Sequence, residues 1–346
     1  MEDHPFVSVV VPERNEQDWI AKCVDSILAQ EYPSERLEVI VVDGESSDDT
    51  RQVLAAYGEK LRVLSNPARI VPTAMNIGIR AARGEIIARV DAHTVLDVNY
   101  LKVGVETLRR TGADNVGGPM ISRGGGPEGD AIAAAMASRF GIGAYFHFGT
   151  EEREVDTVYM GMYPRSVFER IGLFDEELVR NQDDELNYRL RKAGGRVIMT
   201  PRMKSSYQNR QSIRALARQF FQYGEWKVRV LQKHPMQMSW RHFVPPALVS
   251  GLVGLALLAP WMTAASVLLA MVLAMYVSGI VAATASVTGE GGLDKALLVA
   301  IAFVTMHLSW GTGFLAGLGR FGRKWFGDEP GPPRLPVPGS AEAASD

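Results

Sequence analysis

Three consecutive acids open a helix-like segment near the middle of the chain, where residues 181–190 read NQDDELNYRL. One interpretation is capping, because Asn181 or Asp183 can accept unpaired N–H groups and first-turn acids complement the helix dipole. The other is catalysis, because a carboxylate beside a substrate hydroxyl can remove its proton as a general base. The segment by itself leaves both interpretations open.

Further acidic and polar residues follow apolar, β-rich runs in the N-terminal part. Residues 12–16 read PERNE, residues 43–50 read DGESSDDT, and residues 91–94 read DAHT. The G-x-G-x-x-G turn is missing after the first run, and G-x-x-x-x-G-K-[ST] does not occur, which disfavours a nicotinamide cofactor and a P-loop nucleotide. A nucleotide site built from carboxylates, with a divalent cation for the phosphates, fits the pattern.

These residues are placed by an alternation of strands and helices. Strands are predicted at 7–11, 37–42, 61–64 and 86–90, and helices at 18–30, 49–57, 72–83 and 100–111. Such alternation predicts a parallel sheet covered by helices on both faces. Ligands of such sheets bind beyond the carboxyl ends of the strands, where the acidic residues lie.

Composition limits the class of protein. The chain has 346 residues and a formal net charge of −2, which predicts about two domains and gives no overall basic field for nucleic acid. Cys23 is the only cysteine, so an intrachain disulfide and a cysteine-based zinc site are both excluded.

Charged residues nearly vanish in the C-terminal third. Apolar stretches at 243–261, 263–284 and 296–318 approach or reach the roughly 20 residues that cross a bilayer. We therefore expect a catalytic domain over 1–235, a membrane domain of two or three helices over 243–318, and a disordered tail over 328–346. If the first stretch is only interfacial, the other two form a hairpin that keeps the basic C-terminal end inside, and this topology is preferred.

Residues 205–240 combine many basic residues with aromatic ones, directly before the apolar stretches. This composition predicts an amphipathic interfacial region on an anionic leaflet. Nucleic-acid binding is the competing interpretation, and the adjacent membrane segments disfavour it.

Four segments over residues 5–235 occur in an order that points to a known family. They read VSVVVPERNE, VVDGESSDDT, NPARIVPTAMNIGIRAARGEIIARVDAHT and GMYPRSVFERIGLFDEELVRNQDDELNYRLRKAGG. They resemble the family 2 glycosyltransferases, and more closely the membrane-associated ExoA-type succinoglycan biosynthesis enzymes. The resemblance implies an α/β, GT-A (Rossmann-like) nucleotide-diphospho-sugar transferase domain followed by C-terminal transmembrane helices.

The resemblance also implies a donor site for a UDP-sugar. Asp43 matches the aspartate that binds uracil, and Pro12 and Glu16 match the start of the nucleotide pocket. Arg69 and Asn76 match a region that approaches the nucleotide. The competing interpretations are a turn or helix cap at Asp43, a turn at Pro12 and Glu16, and a merely solvated Arg69.

Asp91 and His93 lie where the family usually has Asp-x-Asp, so the resemblance implies a ribose contact at Asp91 and a metal site at both residues. His93 departs from the pattern. Histidine is a poor ligand for Mg²⁺ and a good one for Mn²⁺, so manganese is favoured and magnesium stays possible. The alternative is a hydrogen-bonded surface histidine.

In the family pattern that matches residues 182–189, the first aspartate is the general base, which falls on Asp183. Glu185 and Arg189 are spaced for an i, i+4 ion pair. A second set of residues matches the acceptor side, namely Gly161, Gln182, Tyr223 and Trp226.

The predicted function is transfer of one sugar, with glucose expected, from a UDP-sugar to a lipid-linked or polysaccharide acceptor, with inversion, in exopolysaccharide or cell-envelope glycan synthesis. The expected place is the cell's inner membrane with the catalytic domain in the cytoplasm. Residues 219–226 lack the Arg-Trp pair of processive synthases, which favours single addition. A processive synthase and a nucleotide-sugar-binding pseudoenzyme are the alternatives.

Overall fold

The computed structural model of the protein describes residues 4–289, 292–326 and 331–335. The chain divides into two compact units. Unit 1 contains Met1–Ile121, Gly149–Tyr207 and Pro330–Asp346, and unit 2 contains Ser122–Phe148 and Gln208–Glu329.

The strands lie almost entirely in unit 1, and helices occur in both units. In chain order the strands are β1 Val7–Glu13, β2 Leu37–Asp43, β3 Arg62–Ser65, β4 Ile86–Arg89, β5 Thr94–Leu96, β6 Asn115–Gly118, β7 Met120–Arg123, β8 Arg153–Glu154, β9 Tyr159–Pro164, β10 Val197–Met199 and β11 Ser205–Gln208. The helices are α1 Ile20–Leu28, α2 Thr50–Ala55, α3 Val71–Ala81, α4 Tyr100–Thr111, α5 Pro127–Met136, α6 Arg165–Ile171, α7 Gln182–Lys192, α8 Ile213–Lys233, α9 Val244–Leu258, α10 Thr263–Thr288 and α11 Gly292–Arg320.

The main sheet has eight strands in the order β3-β2-β1-β4-β9-β6-β10-β8. The β3-β2-β1-β4 half is parallel, as the alternation of strands and helices predicted. Its strands β1, β2 and β4 are buried almost throughout and consist largely of β-branched residues, which is typical of a sheet covered on both faces.

Beyond β4 the sheet departs from the parallel arrangement that the alternation of strands and helices predicted. Strand β9 pairs antiparallel with both β4 and β6, so the sheet is mixed. Its sequence YMGMYP contains two methionines and a glycine, and this weak strand signal left it unpredicted.

Unit 2 is built around the contact between α8 and α11. A Cβ atom at Gly224 would lie 2.0 Å from the carbonyl oxygen of Trp310, and one at Gly313 would lie 2.0 Å from that of Phe221. The two helices therefore approach so closely that only glycine fits at these positions, which is a common way for apolar helices to pack.

The compact units differ from the predicted division near residue 235. Helix α8 belongs with the apolar helices because its face carrying Leu216, Phe220 and Val228 is buried, and Val228 forms one cluster with Phe314 and Phe321. The segment 205–240, predicted as an amphipathic interfacial region, comprises β11, α8 and short 3₁₀ turns. The basic residues of α8 lie on a helix whose apolar face packs against protein.

Within residues 4–289, 292–326 and 331–335, three helices are long and apolar enough to cross a membrane, namely Trp240–Leu258, Thr263–Thr288 and Gly292–Arg320. These apolar helices indicate membrane association, and they match the predicted stretches closely. Of the tail predicted to be disordered, residues 331–335 lie on unit 1, where the Leu173 N–H donates to the Pro333 carbonyl at 2.8 Å. The rest of that tail, 328–330 and 336–346, lies outside the described residues.

Candidate active site

The ends of β1 and β2 bring two acids together. In the parallel pairing of these strands Glu13 lies opposite Asp43, and both side chains are buried. Asp43 accepts the Ser46 N–H at Oδ1 over 2.9 Å, and its Oδ2 is ion-paired with Arg51. The predicted nucleobase-binding aspartate is therefore held at the sheet edge by several donors.

Glu13 was not among the predicted site residues. Burial, followed by the hydrogen bond to Asp43 and the charge of Asp43, raises the pKa of Glu13 to about 9. Burial opposes ionisation of Asp43 too, but hydrogen bonds from Glu13, Ser46 and Arg51 outweigh it and lower the pKa of Asp43. Glu13 is therefore the protonated member of the pair at neutral pH, and Asp43 is the ionised one.

Glu16 and His93 meet beside this pair. Nδ1 of His93 lies 2.9 Å from Oε1 of Glu16, and the Glu16 N–H donates to the Thr50 hydroxyl over 2.9 Å. The carboxylate thereby favours the tautomer with a proton on Nδ1, which leaves Nε2 as the ring nitrogen that a ligand can use. Glu16, predicted in the nucleotide pocket, is thus also the residue that orients His93.

A buried arginine joins two of the predicted acids. Nε of Arg89, the last residue of β4, donates to Oδ1 of Asp91 at 2.9 Å, and Nη1 of Arg89 lies 3.7 Å from Oδ2 of Asp183. Although burial works against the charge, Asp91 and Asp183 hold the pKa of Arg89 above its usual value. Arg89 was also missed, and its signal was a charged residue at the end of a buried strand.

Asp183 lies in the first turn of α7, after Asn181 in the left-handed conformation with φ 61°. Its Oδ1 accepts the Asp184 N–H at 3.1 Å, and 43% of its side-chain surface is accessible. Protein packed around the carboxyl raises the pKa of Asp183; Arg89 opposes this, and the charges of Asp184 and Asp91 add to it. An accessible carboxyl with a raised pKa is suited to receive a proton.

The third acid of the run, Glu185, is structural. Glu185 is buried, and its Oε1 lies 2.6 Å from Nε of Arg189, which confirms the predicted i, i+4 pair. Arg189 also donates to the carbonyl of Leu173 over 2.7 Å, and this fixes the loop before α7. Glu185 thus fits the structural interpretation of the acidic run, and the catalytic interpretation of Asp183 stays a prediction.

Two of the predicted residues are buried and closely packed. Asn76 is wholly buried, and its side chain donates to and accepts from the backbone of Phe174 at 2.9 Å each, so its amide is bonded within the fold and its contact with a nucleotide stays a prediction. Gly161 is buried in β9, where a Cβ would lie 2.3 Å from Oδ1 of Asn115. Close packing requires a glycine at this position, and its place on the acceptor side stays a prediction.

Three further predicted residues, Pro12, Arg69 and Gln182, lie in unit 1. Pro12 lies in β1 opposite Val42, and Arg69 is an exposed residue ion-paired with Glu45. Gln182 is buried at the start of α7.

Tyr223 and Trp226, predicted on the acceptor side, belong to α8 of unit 2. There the Tyr223 hydroxyl accepts from Nε2 of Gln219 at 2.9 Å. The Trp226 ring packs 5.2 Å from that of Phe321.

Strained backbone conformations occur near the acids at the ends of β1 and β2 and at the start of α7. Among the described residues, positive φ at non-glycine positions occurs at Asn15, Glu45, Arg69, Met160 and Asn181. Three of them follow β1, β2 and β3, and Asn181 precedes the Asp183 helix. Such conformations cost free energy and are typical of functional loops.

Asp91 and His93 are the candidate ligands for a divalent cation. Their side chains keep 17% and 22% of their surface exposed, and Arg89 engages only one oxygen of Asp91. A carboxylate oxygen and an imidazole nitrogen suit Mn²⁺. Within the described part of the chain no three His, Cys, Asp or Glu side chains are placed to hold a metal, so a cation here would need ligands from the donor's phosphates.

Comparison with known proteins agrees with this architecture. The sequence profile of "Glycosyl transferase family 2" matches residues 8–172. The succinoglycan biosynthesis protein ExoA of Rhizobium meliloti is 30% identical over 330 residues, which are 91% of this chain and 96% of that protein. A Methanococcus voltae dolichyl N-acetyl-alpha-D-glucosaminyl phosphate 3-beta-D-2,3-diacetamido-2,3-dideoxy-beta-D-glucuronosyltransferase is 28% identical over 246 residues, 68% of this chain and 77% of that one.

A solved structure shares the fold. The mannosyltransferase PcManGT from Pyrobaculum calidifontis, in complex with GDP-Man and Mn²⁺, matches with a TM-score of 0.55 and 21% identity over 95% of this chain and 89% of that chain. The sheet, the acids at its edge and the match to ExoA along nearly the whole chain lead to one assignment: the chain belongs to the family 2 glycosyltransferases and is a glycosyltransferase with the GT-A fold.

Proposed function

We propose that this glycosyltransferase moves one sugar, with inversion, from a UDP-sugar to a lipid-linked or polysaccharide acceptor in exopolysaccharide or cell-envelope glycan synthesis. Glucose is the first sugar to test. The single observation that carries the proposal is the Arg89 bridge, in which one guanidinium group is ion-paired with two carboxylates. These are Asp91, on the donor side, and Asp183, at the start of α7.

In this mechanism Asp43 accepts an N–H of the nucleobase, and Asp91 contacts the ribose. Asp91 and His93 would hold a divalent cation, whose chemistry is to neutralise charge on the departing UDP. Asp183 takes the proton from an acceptor hydroxyl while that oxygen forms the bond to the anomeric carbon. The bond from that carbon to the UDP oxygen breaks on the opposite face, and UDP leaves with the electron pair.

The relatives support the acceptor class and the membrane setting. The name of the Methanococcus voltae relative gives a dolichyl-linked sugar phosphate as its acceptor, and that of ExoA gives succinoglycan biosynthesis. A lipid-linked acceptor suits a chain with three apolar helices. We place the catalytic unit on the cytoplasmic side of the inner membrane, because basic residues precede the first apolar helix and nucleotide sugars are made in the cytoplasm.

The proposal is tested by incubating the detergent-solubilised full chain with UDP-glucose, UDP-galactose, UDP-N-acetylglucosamine or GDP-mannose. Synthetic polyprenyl diphosphate-linked sugars serve as acceptors. The expected result is release of UDP and growth of the acceptor by one sugar. Long products would indicate a processive synthase, and turnover with GDP-mannose alone would contradict the UDP assignment.

Donor binding is expected to depend on Asp43 and on a divalent cation. Calorimetry with UDP and Mn²⁺ should give an affinity at least about tenfold weaker for Asp43→Ala, because a charged hydrogen-bond acceptor is lost. His93→Ala should weaken binding with Mn²⁺ more than with Mg²⁺, because imidazole is the better ligand for manganese. Binding that is unchanged by a chelator would remove the metal from the account.

Membrane attachment gives a separate prediction. Because its three apolar helices expose large aliphatic side chains, the protein should stay in the membrane fraction through a carbonate or high-salt wash. A full chain that is monodisperse in buffer without detergent would contradict this expectation.

A further inference from the structure

Glu13 and Asp43 are two buried acids hydrogen-bonded to each other, and the mechanism above uses only Asp43. Glu13 keeps only 6% of its surface accessible and lies in register with Asp43 at the end of β1. Its Oε2 accepts from the Ser46 hydroxyl over 3.2 Å. In the described part of the chain, no N–H or O–H group donates to its buried Oε1.

A buried carboxylate oxygen without a donor is costly, because it loses its hydration and gains no hydrogen bond. A proton on Glu13 removes the cost, because the carboxyl then donates to the neighbouring Asp43 carboxylate. The hydrogen bond between the two side chains requires one such proton. Oε1 of Glu13 has no donor in the described part of the chain, and the β1–β2 register places Glu13 opposite Asp43. Both observations indicate that a neutral Glu13 carboxylic acid donates to the ionised Asp43 carboxylate.

We propose that Glu13 is a positioning residue for donor recognition: as a neutral carboxylic acid it donates to Asp43 and holds that carboxylate in the orientation that receives a nucleobase N–H. The inference rests on the proposed function, in which Asp43 meets the base. Ser46 and Glu13 hold the carboxylate from within the protein. Arg51, whose side chain is 53% exposed, is the solvent-side partner that an entering base displaces.

Two variants of equal size separate the hydrogen bond from packing. Gln at position 13 can still donate to Asp43, whereas Met fills the space and cannot. At neutral pH, Glu13→Gln should bind UDP within about twofold of wild type, and Glu13→Met about tenfold to a hundredfold more weakly, as expected for a lost hydrogen bond to a charged group. Calorimetry with UDP and with GDP measures both variants.

The second readout is the pH profile. The charged groups that face Glu13 are Asp43, Glu16 and, through Asp43, Arg51. As pH rises towards 9 the Glu13 proton is lost and two carboxylates repel, so wild-type UDP affinity should fall about tenfold relative to Glu13→Gln. Ionisation of the nucleotide affects both proteins equally and cancels in their ratio.

Thermal unfolding without nucleotide gives an independent check. The pKa of Glu13 is about 9 in the folded protein against 4.5 ordinarily, so the folded state holds a proton that the unfolded chain has lost. Wild type should therefore lose stability relative to Glu13→Gln as pH rises through this interval. Equal slopes for the two proteins would overturn the neutral state of Glu13.

The outcomes separate this inference from the proposed function. If UDP binding is abolished in Asp43→Ala but unchanged in Glu13→Met, and the wild-type to Glu13→Gln ratio is flat with pH, the inference fails and the donor assignment stands. If GDP binds in place of UDP and Glu13→Met weakens it, the inference stands and the UDP assignment fails.

Discussion

Asp183→Asn is expected to lower kcat by about 10²–10⁴-fold while UDP affinity stays within about twofold of wild type. The reason is a division of labour within unit 1. Donor recognition is assigned to groups that follow β1, β2 and β4, whereas Asp183 acts only when a proton moves. Asn keeps the shape of the side chain and can still accept the Asp184 N–H, but its amide cannot take up the proton.

The matched control is Asp184→Asn, which removes a charge from the same helical turn. If Asp183 only complemented the helix dipole, the two variants should behave alike and lose little. Steady-state transfer and calorimetric UDP binding are measured for both. Comparable activity of the two variants would remove Asp183 from the catalytic assignment.

Arg89→Met is expected to have the second largest effect, with kcat about 10²-fold lower because the base is no longer held in place. Without the guanidinium group of Arg89, no positive charge compensates the Asp91 and Asp183 carboxylates. The pKa of Asp183 then rises further, so less of the base is ionised at neutral pH. The free energy of unfolding should fall by about 1–3 kcal/mol, since both carboxylates stay partly accessible and can be hydrated.

Arg89→Lys is the matched control for charge. Lysine keeps the positive charge at position 89 but lacks the planar guanidinium group that reaches two carboxylates. The activity of Arg89→Lys should therefore lie between those of wild type and Arg89→Met. Thermal unfolding and transfer assays are run on the same preparations. A stable Arg89→Met protein with wild-type kcat would show that the bridge plays no part in transfer.

Local patterns allowed much of the site to be predicted. The apolar runs before Asp43 and Asp91 located the ends of β2 and β4, and the Glu185–Arg189 pair followed from spacing within one helix. The resemblance supplied the expected role of Asp183, which stays a prediction, and the structure places Asp183 3.7 Å from Arg89.

What could not be predicted depends on contacts distant in sequence. Glu13 meets Asp43 only because the β1–β2 register places the two residues opposite each other. Arg89 reaches Asp183 only because α7 returns to the end of β4. Asn76 is occupied by a loop 98 residues further along the chain. The grouping of α8 with α11 rests on glycine contacts that amphipathic periodicity does not reveal.

The central claim, inverting sugar transfer with Asp183 as the base, is tested most directly by the anomeric configuration of the product. NMR of the sugar transferred from an α-linked UDP-sugar to a synthetic lipid-linked acceptor reads this configuration. We expect a β linkage, formed by wild type and Asp184→Asn and lost in Asp183→Asn. An α linkage, or a β-linked product formed by Asp183→Asn at the wild-type rate, would contradict it.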